Sequence, residues 1–215
     1  MRTSRNHDSG FTLVELLVAI GILAILAGLL LPALARAKEK AKVARVHAEL
    51  YGLGLALEMY ADDHDGQLPP VRANCNTDLA EHWCQFPVEL AEQHYLPGGD
   101  QPGMAVNMAD LFNPNHTYKY AAPGPYLLNG SPGGTFKLWV PSDFPLCSST
   151  NGQWYSSPKE APVRWVVWSL APRPDSARSQ DPHAPLASSS WYSHAGDGGV
   201  IARFATRDGL QVKCP

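Results

Sequence analysis

Between Phe11 and Leu34 only Thr12 and Glu15 carry polar side chains. These 24 residues, at about 1.5 Å each, would form a helix of about 36 Å, longer than the roughly 30 Å hydrocarbon core of a bilayer. The continuous run then becomes a stripe. Val43, Val46, Leu50, Leu53, Leu57 and Tyr60 recur at steps of three and four, while Arg45, Glu49 and Glu58 lie off the stripe. Asp62-Asp63-His64-Asp65-Gly66 closes the pattern, with Gly66 as C-cap and Pro69-Pro70 beyond. The spacing predicts one helix over 11–62, about 78 Å long, apolar all round over 11–34 and amphipathic afterwards. Gly21, Gly28, Pro32, Gly52 and Gly54 are its weak points.

Beyond Pro70 the pattern changes to short β-type runs. Residues 136–140 alternate, and 164–170 are rich in β-branched and aromatic residues. Residues 199–204 and 210–213 flank Asp208-Gly209, a hairpin turn signal. A short helix is expected over Asp78–His94, interrupted by Pro87, and loops over Pro97–Gly103, Ala122–Gly134 and Pro172–Ser190. The predicted class is α+β: a long N-terminal helix packed on a small antiparallel sheet head with long loops. The predicted organisation is a polar leader (1–10), the helix (11–62, membrane-spanning over 11–34) and a globular head (63–215).

Glu15 is the anomaly, because a carboxylate inside an apolar helix needs a partner. A cut after Gly10 would supply one, giving Phe11 a positive amine about one turn away. Gly10-Phe11-Thr12-Leu13-Val14-Glu15 resembles the processing site of type IV prepilins and type II secretion pseudopilins. The resemblance implies cleavage between Gly10 and Phe11 by a prepilin peptidase and N-methylation of Phe11. It also implies assembly through Phe11, Glu15 and Pro32, the last where the family's helix is locally loosened. A secretory signal peptide would have a shorter core followed by a small-residue cut site, and an ordinary anchor would not explain Glu15.

Charge changes the picture in one respect. The formal charge is −3, and loss of Met1–Gly10, with Arg2, Arg5 and Asp8, would take it to −4. That acidity argues against a nucleic-acid partner. Arg36, Lys38, Lys40, Lys42 and Arg45 follow the apolar run and outnumber Arg2 and Arg5 before it, which by charge alone would keep the head in the cytoplasm. The cut-site motif overrules that count and puts the head in the periplasm. Charged residues are 17% of the chain, below the usual ~25%, and 19 prolines are roughly twice the usual ~5%, as suits a loop-rich exported domain.

Four cysteines, Cys75, Cys84, Cys147 and Cys214, all follow the apolar run. In an oxidising compartment they read as two disulfides; Cys75–Cys84 and Cys147–Cys214 are favoured, with a zinc site beside His82 as the rival. Asp62, Asp63 and Asp65 offer oxygens for calcium, without EF-hand spacing, against helix capping. Ser193-His194 with Asp197 faintly resembles a C-terminal histidine-to-Asp-Gly signature of prepilin-like proteins, but thirteen residues separate His194 from Asp208 here. His194 and Asp197 could polarise a serine such as Ser193 or Ser190, and a glycine-rich turn explains the same residues without catalysis. Trp154, Tyr155, Trp191 and Tyr192 are core, or if exposed could stack on sugars or a secreted partner. Asn115 and Asn129 head short glycosylation-type patterns of chance frequency.

The expected function is structural: a subunit of a type II secretion pseudopilus or type IV pilus, not an enzyme, with no required cofactor. Its partners would be the peptidase, other subunits, the inner membrane and the assembly machinery. With no phosphate-binding Gly-x-x-x-x-Gly-Lys loop in the chain, the ATPase would be separate. The alternatives are a minor pilin whose head binds a polysaccharide or exported protein, and an anchored hydrolase dependent on His194.

Overall fold

The computed structural model describes residues 12–73, 84–96, 109–181, 183 and 185–214. By its contacts the chain divides into Met1–Lys40 and Ala41–Pro215, the boundary falling within the first helix.

That helix, α1 (Leu13–Asp63), is one uninterrupted element of 51 residues that continues through Pro32. Its described start and end lie within two residues of the predicted ones. Asp65, not Gly66 alone, turns the chain at its end. Asp65 adopts the left-handed conformation (φ 53°), and Gly66 (φ 78°) donates its N–H to Ala61 O at 2.8 Å, a six-to-one closure of the last turn.

In the unit Ala41–Pro215, eleven strands follow among the described residues: β1 (Val71–Ala73), β2 (Ala109–Asp110), β3 (Asn113–Thr117), β4 (Lys119–Ala121), β5 (Gly124–Leu128), β6 (Ser131–Phe136), β7 (Leu138–Pro141), β8 (Gly152–Tyr155), β9 (Val163–Ser169), β10 (Ile201–Thr206) and β11 (Gln211–Lys213). The antiparallel order β11-β10-β9-β4 forms the main sheet. A second sheet runs β1-β5-β6, with β1 parallel to β5. Gln85 bridges Arg72 and Lys119 and so links the two sheets. β2–β3 and β7–β8 are separate hairpins. The architecture is α+β, as the patterning predicts.

Two expectations are corrected. The helix expected over Asp78–His94 shrinks, among the described residues, to α2 (Glu89–Glu92), because Cys84 is left-handed (φ 57°) and Gln85 bridges two strands. The loop expected over Ala122–Gly134 contains the β5–β6 hairpin, turned at Asn129 (φ 49°) and Gly130 (φ 79°), the pair of left-handed residues that a two-residue hairpin turn needs. The expected loop Pro97–Gly103 lies outside the described residues except for its flank. Pro172–Ser190 carries turns and a single 3₁₀ turn at Ser188–Ser190. It is held by buried Ser179, whose Oγ donates to Gly199 O at 2.8 Å and accepts the Gly199 N–H at 3.0 Å.

The second half of α1 forms one side of the core. Val46, Leu50, Leu53, Leu57 and Tyr60 are buried in one cluster with Tyr118, Tyr120 and Trp165 of the main sheet region. Glu49 and Glu58, predicted off the stripe, sit at its flanks and pair across to the sheet. Tyr118 donates to Glu49 Oε2 at 2.5 Å, and Arg164 Nη1 and Trp165 Nε1 each donate to Glu58 at 2.6 Å. Gly54 lets the Trp165 ring approach: a Cβ there would stand 2.5 Å from Trp165 Cη2.

Candidate membrane and assembly segment

The first helical turn is locally closed. Thr12 Oγ1 accepts the Glu15 N–H at 3.2 Å, while Glu15 Oε2 accepts from Thr12 N at 2.9 Å and from Thr12 Oγ1 at 2.7 Å. This is a capping box, Thr-x-x-Glu, in which each residue satisfies an otherwise orphaned backbone donor of the other. The signal was present in the sequence; the predicted role of Glu15, as partner of an amine, obscured it. The carboxylate also lies in the first turn, where the helix dipole favours negative charge. Gly10 and Phe11, the predicted cut site, lie outside the described residues, but the cap sets Glu15 against the peptide nitrogen one residue beyond Phe11.

From Leu13 to Leu34, fourteen large apolar side chains are each 51–73% exposed. Covering the exposed half of each would yield about 1 kcal/mol or more per side chain, on the order of 15 kcal/mol in all. A patch of that size is far above what a water-soluble surface carries singly. α1 is also the one described helix long and apolar enough to cross a membrane. Pro32 lies in this stretch without interrupting the helix.

The other predicted sites fall out differently. Asp62, Asp63 and Asp65 do not converge, and among the described residues no three His, Cys, Asp or Glu side chains form a metal-binding group. Asp63 accepts the Tyr95 hydroxyl at 2.7 Å, which pushes that phenol up to about 12. Cys84, Cys147 and Cys214 are buried free thiols; burial pushes Cys84 and Cys147 up to about 12 and raises Cys214 as well. Cys75 lies outside the described residues. Cys147 and Cys214 share the core cluster, and after burial the neighbouring Cys147 raises Cys214 further.

Ser193, His194 and Asp197 do not form a nucleophilic relay. Ser193 Oγ donates to Asp197 Oδ2 at 3.1 Å, and exposed His194 stands 3.5 Å from the same oxygen. The imidazole therefore does not bridge hydroxyl and carboxylate, as base catalysis would require. The glycines beside them are structural: at Gly199 (φ 130°) a Cβ would meet Ser190 O at 2.7 Å. Of the aromatic residues, Tyr192 is buried, Trp191 and Tyr155 are half-buried, and Trp154 is exposed.

Comparison with known proteins agrees with the segment's geometry. The family described as the prokaryotic N-terminal methylation motif matches residues 5–31. The type II secretion system core protein G of Pseudomonas aeruginosa is 38% identical over 60 residues, covering 28% of this chain and 42% of that protein. The protein of the same name from Aeromonas hydrophila is 43% identical over 61 residues (28% and 43%), and that from Klebsiella pneumoniae 47% over 58 (27% and 41%). The match thus spans less than half the length of these relatives. No solved structure matches. The chain carries a prepilin-type methylation motif at its N-terminus and is homologous, over about sixty residues, to the pseudopilin core protein G of type II secretion systems.

Proposed function

We propose that this chain is a structural, non-enzymatic subunit of a type II secretion pseudopilus, anchored in the bacterial inner membrane with its head in the periplasm before assembly. The observation that carries the reading is the match at residues 5–31 together with an uncovered apolar helix that begins in a Glu15 cap. A prepilin peptidase cuts between Gly10 and Phe11 and methylates the new amine. The apolar segments then leave lipid and bury one another in a filament core. There an unpaired charge is unfavourable, so Glu15 of one copy neutralises the Phe11 amine of its neighbour and fixes the register. In the oxidising periplasm Cys147 and Cys214, buried in one cluster, pair as a disulfide. Type IV pilus membership rests on the same motif; similarity to core protein G favours the pseudopilus.

The test is mass spectrometry of the mature chain together with shearing of filaments from cells. A chain that begins with methylated Phe11 and appears in sheared filaments is the expected result. A mature start elsewhere, or an uncut chain that still assembles, removes the reading.

A further inference from the structure

The head carries a cationic seam that forms no ion pair among the described residues. His47 and Tyr51 are four residues apart and share a face of α1. Against them stand Arg203 of β10 and Lys213 of β11, register partners on one face of the sheet. The Arg203 guanidinium lies 5.0 Å from the Tyr51 ring centre. β11 is the edge strand, and Lys213 and Tyr51 are exposed, so the seam opens to solvent. Two buried atoms along it have no hydrogen-bond partner: His47 Nδ1, in a side chain 8% exposed, and Arg203 Nε. Among the described residues neither Arg203 nor Lys213 forms an ion pair. Burial and these two cations hold His47 down to about 4, so it is neutral and does not answer their charge.

The opposite charge sits at the other end of the helix. Asp62 and Asp65 are exposed and form no ion pair among the described residues, whereas Asp63 is engaged by Tyr95. Fifteen residues of α1 separate His47 from Asp62, about 22 Å of helix. One copy therefore cannot close its acidic turn on its own cationic seam, but two copies stacked in the same orientation can. Such a head-to-tail contact joins two different patches and, when its rotation does not close, repeats into an open filament.

Resting on the filament reading above, we propose that the His47–Arg203–Lys213 seam is the docking site for the Asp62/Asp65 turn of a second copy. A carboxylate entering it pairs with the exposed Lys213 ammonium beside the Arg203 guanidinium, answering charge that the described residues of one head leave without an ion pair. The flanking charges set partner orientation and register more than affinity.

The test uses the full chain, made as an equal mixture of light and ¹⁵N-labelled copies, in membranes and in sheared filaments. A zero-length carbodiimide joins only amines and carboxylates already in contact. The expected product links Lys213 Nζ to Asp62 or Asp65 in mixed-isotope pairs. Lys213→Glu, at an exposed site that leaves the core intact, lowers filament yield by about tenfold, and adding Asp62→Lys and Asp65→Lys to the same chain restores it. Filaments without the linked product overturn the seam and leave the filament reading standing. The product without filaments overturns that reading and leaves the seam. Wild-type filament yield from Lys213→Glu overturns the proposal. Failure of the compensating lysines to restore yield overturns it as well.

Discussion

Replacing Gly54 by alanine tests how α1 is seated on the head. In an unencumbered helix the change would stabilise by about 1 kcal/mol, because glycine is the poorer helix former. Here the new Cβ would stand 2.5 Å from Trp165 Cη2, 3.0 Å from Trp165 Cζ2 and 2.8 Å from Gln211 Oε1. Carbon atoms in contact prefer about 3.5–4.0 Å, so the ring or the helix must yield by about 1 Å. The ring has little room: Trp165 is wholly buried, and its Nε1 is held by Glu58 Oε1 at 2.6 Å. Overpacking of this kind costs about 1–3 kcal/mol, enough to exceed the propensity gain. Gly54→Ala should therefore destabilise by a net of up to about 2 kcal/mol, or up to roughly 8 °C in Tm for a head of this size.

Gly52 supplies the internal control. It lies two residues away on the same helix, is exposed, and a Cβ there meets nothing within 4 Å. Gly52→Ala should stabilise by about 0.5–1 kcal/mol. The assay is urea unfolding of the full chain in detergent, followed by tryptophan fluorescence. Opposite signs for the two substitutions, with unchanged slopes, are expected. Equal stabilisation by both would refute the seat of Trp165 against Gly54 and, with it, the packing of the stem on β9.

Further outcomes separate the remaining roles. Glu15→Gln keeps an acceptor for the capping box but removes the charge, so insertion and cutting should persist while filaments are lost, whereas Thr12→Val removes the cap hydroxyl and should leave assembly intact; normal filament yield from Glu15→Gln ends the charge-pairing mechanism. His47 titrates near 4 when folded and near 6.5 when unfolded, so the unfolded state takes up the proton first; stability should be full above about pH 6.5, fall by about 3 kcal/mol toward pH 4, and lose that slope in His47→Met, as acid unfolding in detergent would read. Asp110 is buried and accepts from Phe112 N, Leu170 N, Asn113 Nδ2 and Ser169 Oγ, so Asp110→Asn, which turns an amide donor toward those donors, should cost about 1–3 kcal/mol or more in the same unfolding assay. Thiol mapping of exported protein should find Cys147 joined to Cys214, and Cys147→Ser should destabilise it by about 2–5 kcal/mol; two free thiols there would end that pairing.

The stem was legible because its two periods are written over many turns. Continuous apolarity and then steps of three and four leave one solution: of the predicted stripe residues, Val46, Leu50, Leu53, Leu57 and Tyr60 are buried, and Val43 is half-buried against the core. The head was legible where β-branched and aromatic residues ran together, as in β9, and where a turn signal stood between two such runs, as at Asp208-Gly209. The β5–β6 hairpin was hidden by Pro125, Pro132, Gly133 and Gly134, which read as breakers. The fold tolerates them because β6 is an edge strand and the register shifts beside Tyr126. The Asn129-Gly130 turn signal was there and was outweighed. The local pattern offers Glu49 only Arg45, four residues before it, and could not have joined Glu49 and Glu58 to the head, since Tyr118, and Arg164 with Trp165, lie 69 and more than 100 residues away.

The capping box alters what assembly demands of Glu15. An uncapped carboxylate in an apolar helix would need the neighbour's amine simply to be tolerated. In this chain the carboxylate already has two donors from Thr12 before any partner arrives. The precursor can therefore hold Glu15 at the mouth of the helix without a counter-charge, which removes an obstacle to insertion. Cleavage after Gly10, as proposed, would place a cation one residue from that cap. The cap satisfies hydrogen bonds but supplies no opposite charge, so only the charge remains unmet when the helix leaves lipid for a packed core. On this view Thr12 stabilises the waiting subunit, and the amine of the next copy is selected because it alone completes what the cap cannot.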